Sequence, residues 1–240
     1  MKNKFKLITA IALAGSFATG IAQAAPCPVT QADLQAALIA SVFDVGGANG
    51  TAASTNGGFD LNMWAAVVDR DGVVCAVAKT GMAGEQWPGS RVISAQKANT
   101  ANAFSLPGLA LSTANLWAAT QPGGSLFGLQ HSNPVDTDVA YEGSGATWGT
   151  MGDELVGDKI GGVNVFGGGL ALYDNGGNLV GAVGVSGDSS CADHNIAWRV
   201  RDQLALDMVP GGVGSPGDNI IFDLTSTNPG KSGFDLSLIH

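Results

Sequence analysis

The sequence predicts an α/β domain: a central antiparallel sheet with helices packed on it. Three observations carry that prediction. Two pairs of β-rich runs, 63–69 with 73–79 and 169–174 with 179–186, each flank a tight polar turn. An alanine-rich segment of helical period, 90–104, lies between the two pairs. A further helical segment, from about 192 to 208, follows the second pair.

The chain begins with a segment that reads as a targeting signal. Lys2, Lys4 and Lys6 form a basic start, 7–21 is apolar, and Ala22-Gln23-Ala24 has the A-x-A form of a cleavage site. Residues 1–24 are therefore expected to be a secretory signal peptide, with a periplasmic or secreted product. No second apolar run is long enough to span a bilayer. The remainder suits one domain with insertions.

The formal net charge is −9 for the full chain, and more negative once the three leading lysines are removed. That charge disfavours nucleic acid and anionic membranes as partners. The 36 glycines sit among strong apolar strands, so they point to a packed fold with glycine loops, not to disorder. Cys27, Cys75 and Cys191 all follow the signal segment. In an oxidising compartment one disulfide plus one thiol is the simplest reading, and three pairings are open. No CxxC, CxxCH or HExxH spacing occurs, which argues against covalent c-type haem and the common zinc sites.

The elements follow in order. Residues 30–43 form a helix, opened by Thr30 and Asp33 in capping-box spacing, with Leu34, Ala37, Leu38 and Val42 on one face. Residues 46–58 are a small-residue loop. Asp69-Arg70-Asp71-Gly72 turns the first hairpin and Asn175-Gly176-Gly177-Asn178 the second, and both hairpins are assigned to one sheet. In the helix 90–104, Ala95, Ala98, Ala101 and Ala103 permit a close approach to that sheet. Residues 112–119 make a shorter helix, stopped by Gln121-Pro122-Gly123-Gly124. Residues 131–162 show turn residues and no period, and are read as an insertion. Residues 210–216 are a linker, and 220–224 an edge strand.

At this point three stretches resemble a known family. GGVNVFGGGLALYDNGGNLVGAVGVSG (161–187), WAAVVDRDGVVCAVAKTG (64–81) and SRVISAQKANTANAFS (90–105) resemble, in the same order, segments of the GlcG/HbpS-like family, whose domain is shared with the C-terminal part of PduO. The resemblance implies an antiparallel sheet with helices, a tendency to form homo-oligomers, and haem as a ligand. It places the domain at 25–208, with extra segments at 46–62 and 132–158, and a C-terminal extension at 209–240. No axial iron ligand is carried over from it.

The candidate site is the loop and helix start after the second hairpin, which crowds Ser186, Ser189, Ser190, Cys191, Asp193 and His194 together. Helix N-termini favour anions. His194 is a candidate haem or metal ligand through a neutral imidazole nitrogen, against a plainer role bonding the backbone near the cap. Cys191, three residues earlier, is a second candidate ligand, with a disulfide the favoured role. His131, in the insertion, could reach a ligand from a loop, against the plainer role of a solvated residue. Ser186 is a candidate ligand-binding hydroxyl. It also follows a strand and precedes a helix, where nucleophilic serines occur, but Gly184-Val185-Ser186-Gly187-Asp188 departs from G-x-S-x-G. The glycines at 161–162 and 167–169 fit close packing beside a strand better than a phosphate loop. Trp64, Trp87, Trp117, Trp148 and Trp198 could line an apolar ligand cavity, against the plainer reading of most of them as core. The expected function is that of an exported small-molecule-binding protein, with haem as cofactor. The competing classes are an enzyme using the loop from Ser186 to His194, and a ligand-free structural protein.

Overall fold

A computed structural model describes residues 25–43, 56–213 and 217–220. The elements in chain order are α1 (Gln31–Phe43), β1 (Trp64–Asp69), β2 (Val74–Lys79), α2 (Ser90–Phe104), α3 (Thr113–Thr120), α4 (Leu129–Ser132), α5 (Thr137–Ala140), β3 (Gly169–Tyr173), β4 (Leu179–Ser186) and α6 (Ser190–Gln203). Both hairpins form and join in one antiparallel sheet of order β2-β1-β4-β3. Pairing of Trp64 with Ser186 and of Ala66 with Gly184 fixes the central register.

That register sorts the side chains into two cores. Ala65 and Val67 of β1, Val183 and Val185 of β4, and Leu170 and Leu172 of β3 face α1 and α6. Trp64, Ala66, Val68 and Ala182 face the alanines of α2. Alternation along a strand makes this division automatic once the register is set. Each fully buried aliphatic side chain contributes about 1.5–3 kcal/mol.

Helix α2 lies unusually close to the sheet because β4 offers it a glycine. A Cβ at Gly184 would collide with the Ser94 carbonyl and lie 2.5 Å from the Ala98 nitrogen. Glycine is the residue that permits such a backbone approach.

Helix α1 starts where the capping spacing places it. Thr30 N donates to Asp33 Oδ2 at 3.1 Å, and Asp33 N donates to Thr30 Oγ1 at 3.2 Å. Leu34, Ala37, Leu38 and Val42 are buried as expected. Cys27 and Cys75 form a disulfide that ties the segment before α1 to β2. Such a crosslink stabilises by about 2–4 kcal/mol. Cys191 is not part of it, so the expected disulfide role of Cys191 is corrected: Cys191 is buried on α6, while Cys27 and Cys75 lie with Cα atoms 5.5 Å apart.

Helix α6 differs from its expected bounds at both ends. Ser189 caps it, its hydroxyl accepting from Ala192 N at 3.4 Å, so the helix begins at Ser190. It ends at Gln203 because the chain returns to the sheet. Ala205 takes a left-handed φ of 52°, Tyr173 N donates to Leu206 O at 2.8 Å, and Asp207 bridges to Tyr173.

The insertion is packed despite its lack of period. Ala140, Leu155 and Ile160 enter the core on the α2 side. Gly157 N donates to Val74 O, and Val74 N to Asp158 O, both at 2.9 Å, which covers one end of edge strand β2. Among the described residues no helix is long and apolar enough to cross a membrane. The expected signal segment, most of the 46–58 loop, part of the 210–216 linker and residues 221–224 of the expected edge strand lie outside the described residues.

Candidate functional site

Two helix starts converge at the end of β4. Helix α2 brings Ser90, Ile93 and Lys97, and the β4–α6 connection brings Ser186, Asp188, Ser189, Ser190 and Asp193. Between them lies a cavity of about 360 Å³, a size suited to a small ligand. Phe59, Trp87 and Phe166 complete its apolar wall, and all three rings are partly exposed, as at a mouth.

The floor is an ion pair. Lys97 Nζ lies 2.6 Å from Asp193 Oδ2 and donates to the Val185 carbonyl at 3.0 Å. Both side chains are buried. Burial pulls the Lys97 ammonium below its ordinary value, against the opposing pull of Asp193. Burial likewise pushes the Asp193 carboxyl up to about 6, although Lys97 and the Asp188 N–H hold it down. Each partner is driven toward its neutral form, a pattern concentrated at functional sites.

Asp188 organises the rim. Its carboxylate accepts from the N–H groups of Phe59 at 2.9 Å, Leu61 at 3.2 Å and Ser189 at 2.5 Å. Its own N–H donates to Asp193 Oδ1 at 2.9 Å. The segment carrying Phe59 is thereby fastened to the start of α6. The hydroxyls of Ser90 and Ser186 make no hydrogen bond among the described residues, and both serines line the cavity.

The structure separates the expected site residues. Ser186 lines the cavity, while His194, Cys191 and His131 are not among its lining. His194 is buried, its Cβ near Gly167 and its ring 6.0 Å from Trp198, and neither ring nitrogen has a hydrogen-bond partner among the described residues. Burial pushes its imidazole down to about 4, so it is neutral at pH 7. No hydrogen bond joins it to Ser186, so no serine–histidine pair forms among the described residues. Burial, with Asp193 nearby, raises the Cys191 thiol to about 12, which leaves it protonated. His131 is exposed on α4 and stacks edge-on against Phe127 at 6.5 Å.

Haem iron takes axial ligands from histidine, cysteine, methionine or tyrosine. Among the described residues none of these lines the cavity, so the residues described there do not fit an iron-ligated haem. They do fit a flat apolar molecule with a polar group directed at the serines.

Sequence reasoning missed Lys97, Phe59 and Phe166 as site residues, while Trp87, one of the five tryptophans named as possible cavity lining, is in the wall. Lys97 carried a usable signal. Ser94, Lys97, Ala98 and Ala101 fall at i, i+3, i+4 and i+7, so this lysine sits on the buried stripe of α2.

A family model described as haem-degrading protein HbpS-like matches residues 40–201. Among solved structures, protein ORFY of Klebsiella pneumoniae is 26% identical with a TM-score of 0.46, covering 73% of this chain and 90% of its own. A PduOC–haem complex is 21% identical with a TM-score of 0.48, covering 74% and 94%. A double mutant of Streptomyces reticuli HbpS is 20% identical with a TM-score of 0.45, covering 82% and 97%. No curated protein matches the chain. The family model spans well over half of the sequence, both hairpins and the whole cavity, and on that ground the chain belongs to the HbpS-like family.

Proposed function

We propose that this protein is exported and binds a tetrapyrrole of the haem type in the cavity between α2 and α6. The observation that carries the reading is that every residue lining the cavity falls within the segment matched by the HbpS-like family. The PduOC relative is described in complex with haem. The aromatic rings of Phe59, Trp87 and Phe166 supply the apolar surface that a planar macrocycle covers. Ser186 offers a hydroxyl to a polar group of the ligand. Phe59, Trp87 and Phe166 would hold the macrocycle by apolar contact. The Cys27–Cys75 disulfide supports an oxidising destination.

Haemin titration tests the reading. Saturable binding should appear as a changed Soret band and as quenching of tryptophan fluorescence. Trp87→Ala should weaken it about tenfold, the loss of about one aromatic contact. Absence of saturation at any haemin concentration would remove the proposal. His194→Ala decides between two placements of the ring. An unchanged spectrum keeps the ring in the cavity, and loss of the shift moves it to α6. Export is checked separately by finding Ala25 at the N-terminus of the secreted protein.

A further inference from the structure

Lys97 is a buried nucleophilic group that the binding reading leaves without a task. A buried ion pair that only joins two helices needs no opening, yet Lys97 and Asp193 form part of a cavity wall. Two further groups point to a ligand there. Ser90 and Ser186 are each 4% exposed, line the same cavity, and keep their hydroxyls unengaged among the described residues. A lysine desolvated in an apolar pocket is the arrangement that turns an ammonium into an amine nucleophile.

We propose that Lys97 captures an uncharged, apolar aldehyde or ketone in this cavity as an imine. The Nζ lone pair forms a bond to the carbonyl carbon, and the amine proton passes to the carbonyl oxygen to give a carbinolamine. Loss of that oxygen as water leaves the imine, so one amine and one carbonyl give one imine and one water. No oxidant or reductant is required. Ser186 and Ser90 can donate hydrogen bonds to the carbonyl oxygen as negative charge develops on it. Asp193 holds the lysine nitrogen at the cavity and acts as a positioning residue. The substrate class follows from the walls. Phe59, Trp87, Ile93 and Phe166 favour a flat, apolar and uncharged body. Burial also draws the Lys97 ammonium toward the free amine. The inference goes beyond the tetrapyrrole reading and does not depend on it.

The test uses the full chain without added tetrapyrrole, benzaldehyde as the probe and sodium cyanoborohydride to trap the imine. Peptide mass mapping then compares Lys97 with Lys159, which is exposed. Lys97 should be benzylated at least about tenfold faster than Lys159, and unfolding in urea should abolish the preference. Ser186→Ala should lower the Lys97 rate about tenfold with circular dichroism unchanged, and the Lys159 rate should stay as it was. At Lys97, 4-carboxybenzaldehyde should react more slowly than benzaldehyde. If native Lys97 is modified no faster than Lys159, the ion pair merely joins α2 to α6 and the proposal falls. If the carboxylated aldehyde is preferred at Lys97, the assigned substrate class is wrong.

Discussion

Helix α2 carries two buried cations six residues apart, and each meets an aspartate at 2.6 Å. Their surroundings differ. Arg91 is enclosed: its guanidinium donates to both oxygens of Asp153 and to the Ala140 carbonyl, and lies 4.5 Å over the Trp148 ring. Asp153 in turn accepts from Gly149 N and Leu155 N. The pair is a knot between α2 and the insertion. Lys97 is bonded to one carboxylate and one carbonyl, and the pair borders a cavity. Both pairs are buried, so burial does not separate a structural ion pair from a chemical one. What separates them is that the arginine pair is covered by the insertion, whereas the lysine pair borders a cavity.

The largest expected effect comes from breaking the enclosed pair. Asp153→Ala leaves an uncompensated buried guanidinium and should cost about 3–5 kcal/mol, read as a lowered urea midpoint. The double change of Arg91→Met with Asp153→Leu should recover most of it. A small loss for the single variant would show that the insertion does not depend on this knot.

Lys97→Met should cost less, about 1–3 kcal/mol, because Asp193 already has a raised carboxyl and can hold a proton when the lysine is gone. The same variant should lose all aldehyde labelling at that peptide. A penalty matching that of Asp153→Ala would make the two pairs alike and erase the distinction.

The third effect is a slope with pH. His194 is held near 4 in the fold, below the ordinary histidine value of 6.5, so its contribution is complete above about 6.5 and is lost as pH falls toward 4. Asp193 has the opposite sign. Its folded value of about 6 exceeds the ordinary carboxyl value of 3.8, so its contribution falls as pH rises from about 4 to 6. The two oppose each other in the wild type. His194→Leu should expose the second alone, with stability declining from pH 4 to 6 in urea titrations. A variant that still gains stability across that range would refute the assignment. The smallest effect on stability is expected for Trp87→Ala. Trp87 is 52% exposed at the cavity mouth, so its midpoint should move by no more than about 0.5 kcal/mol even where ligand binding is weakened.

Much of the fold was legible because its signals are local. Asp69-Arg70-Asp71-Gly72 and Asn175-Gly176-Gly177-Asn178 mark their hairpins by turn chemistry, and Gly72 takes the left-handed φ of 81° that such a turn demands. Thr30 and Asp33 mark a helix start within four residues. The end of α6 was not legible, because Leu206 and Asp207 leave the helix to bond Tyr173, a partner more than thirty residues away in sequence. The same limit governs the site. Ser186 and Asp193 stand together in the chain, but Lys97 and Trp87 reach them only through the pairing of β1 with β4 and the seating of α2. The histidine and cysteine of α6 drew attention by residue type, while their helical positions turn them into the core.

The glycine at 184 has a consequence beyond packing. Lys97 Cβ lies 3.0 Å from where a side chain at 184 would begin, so the reach of the lysine toward Asp193 is measured from a surface with no atom on it. A methyl group there would lift the whole helix, and the lysine with it, while leaving every residue of the cavity unchanged in kind. The site is thus calibrated by a blank. Its chemistry can be detuned from β4, by a position that is not among the cavity's lining residues.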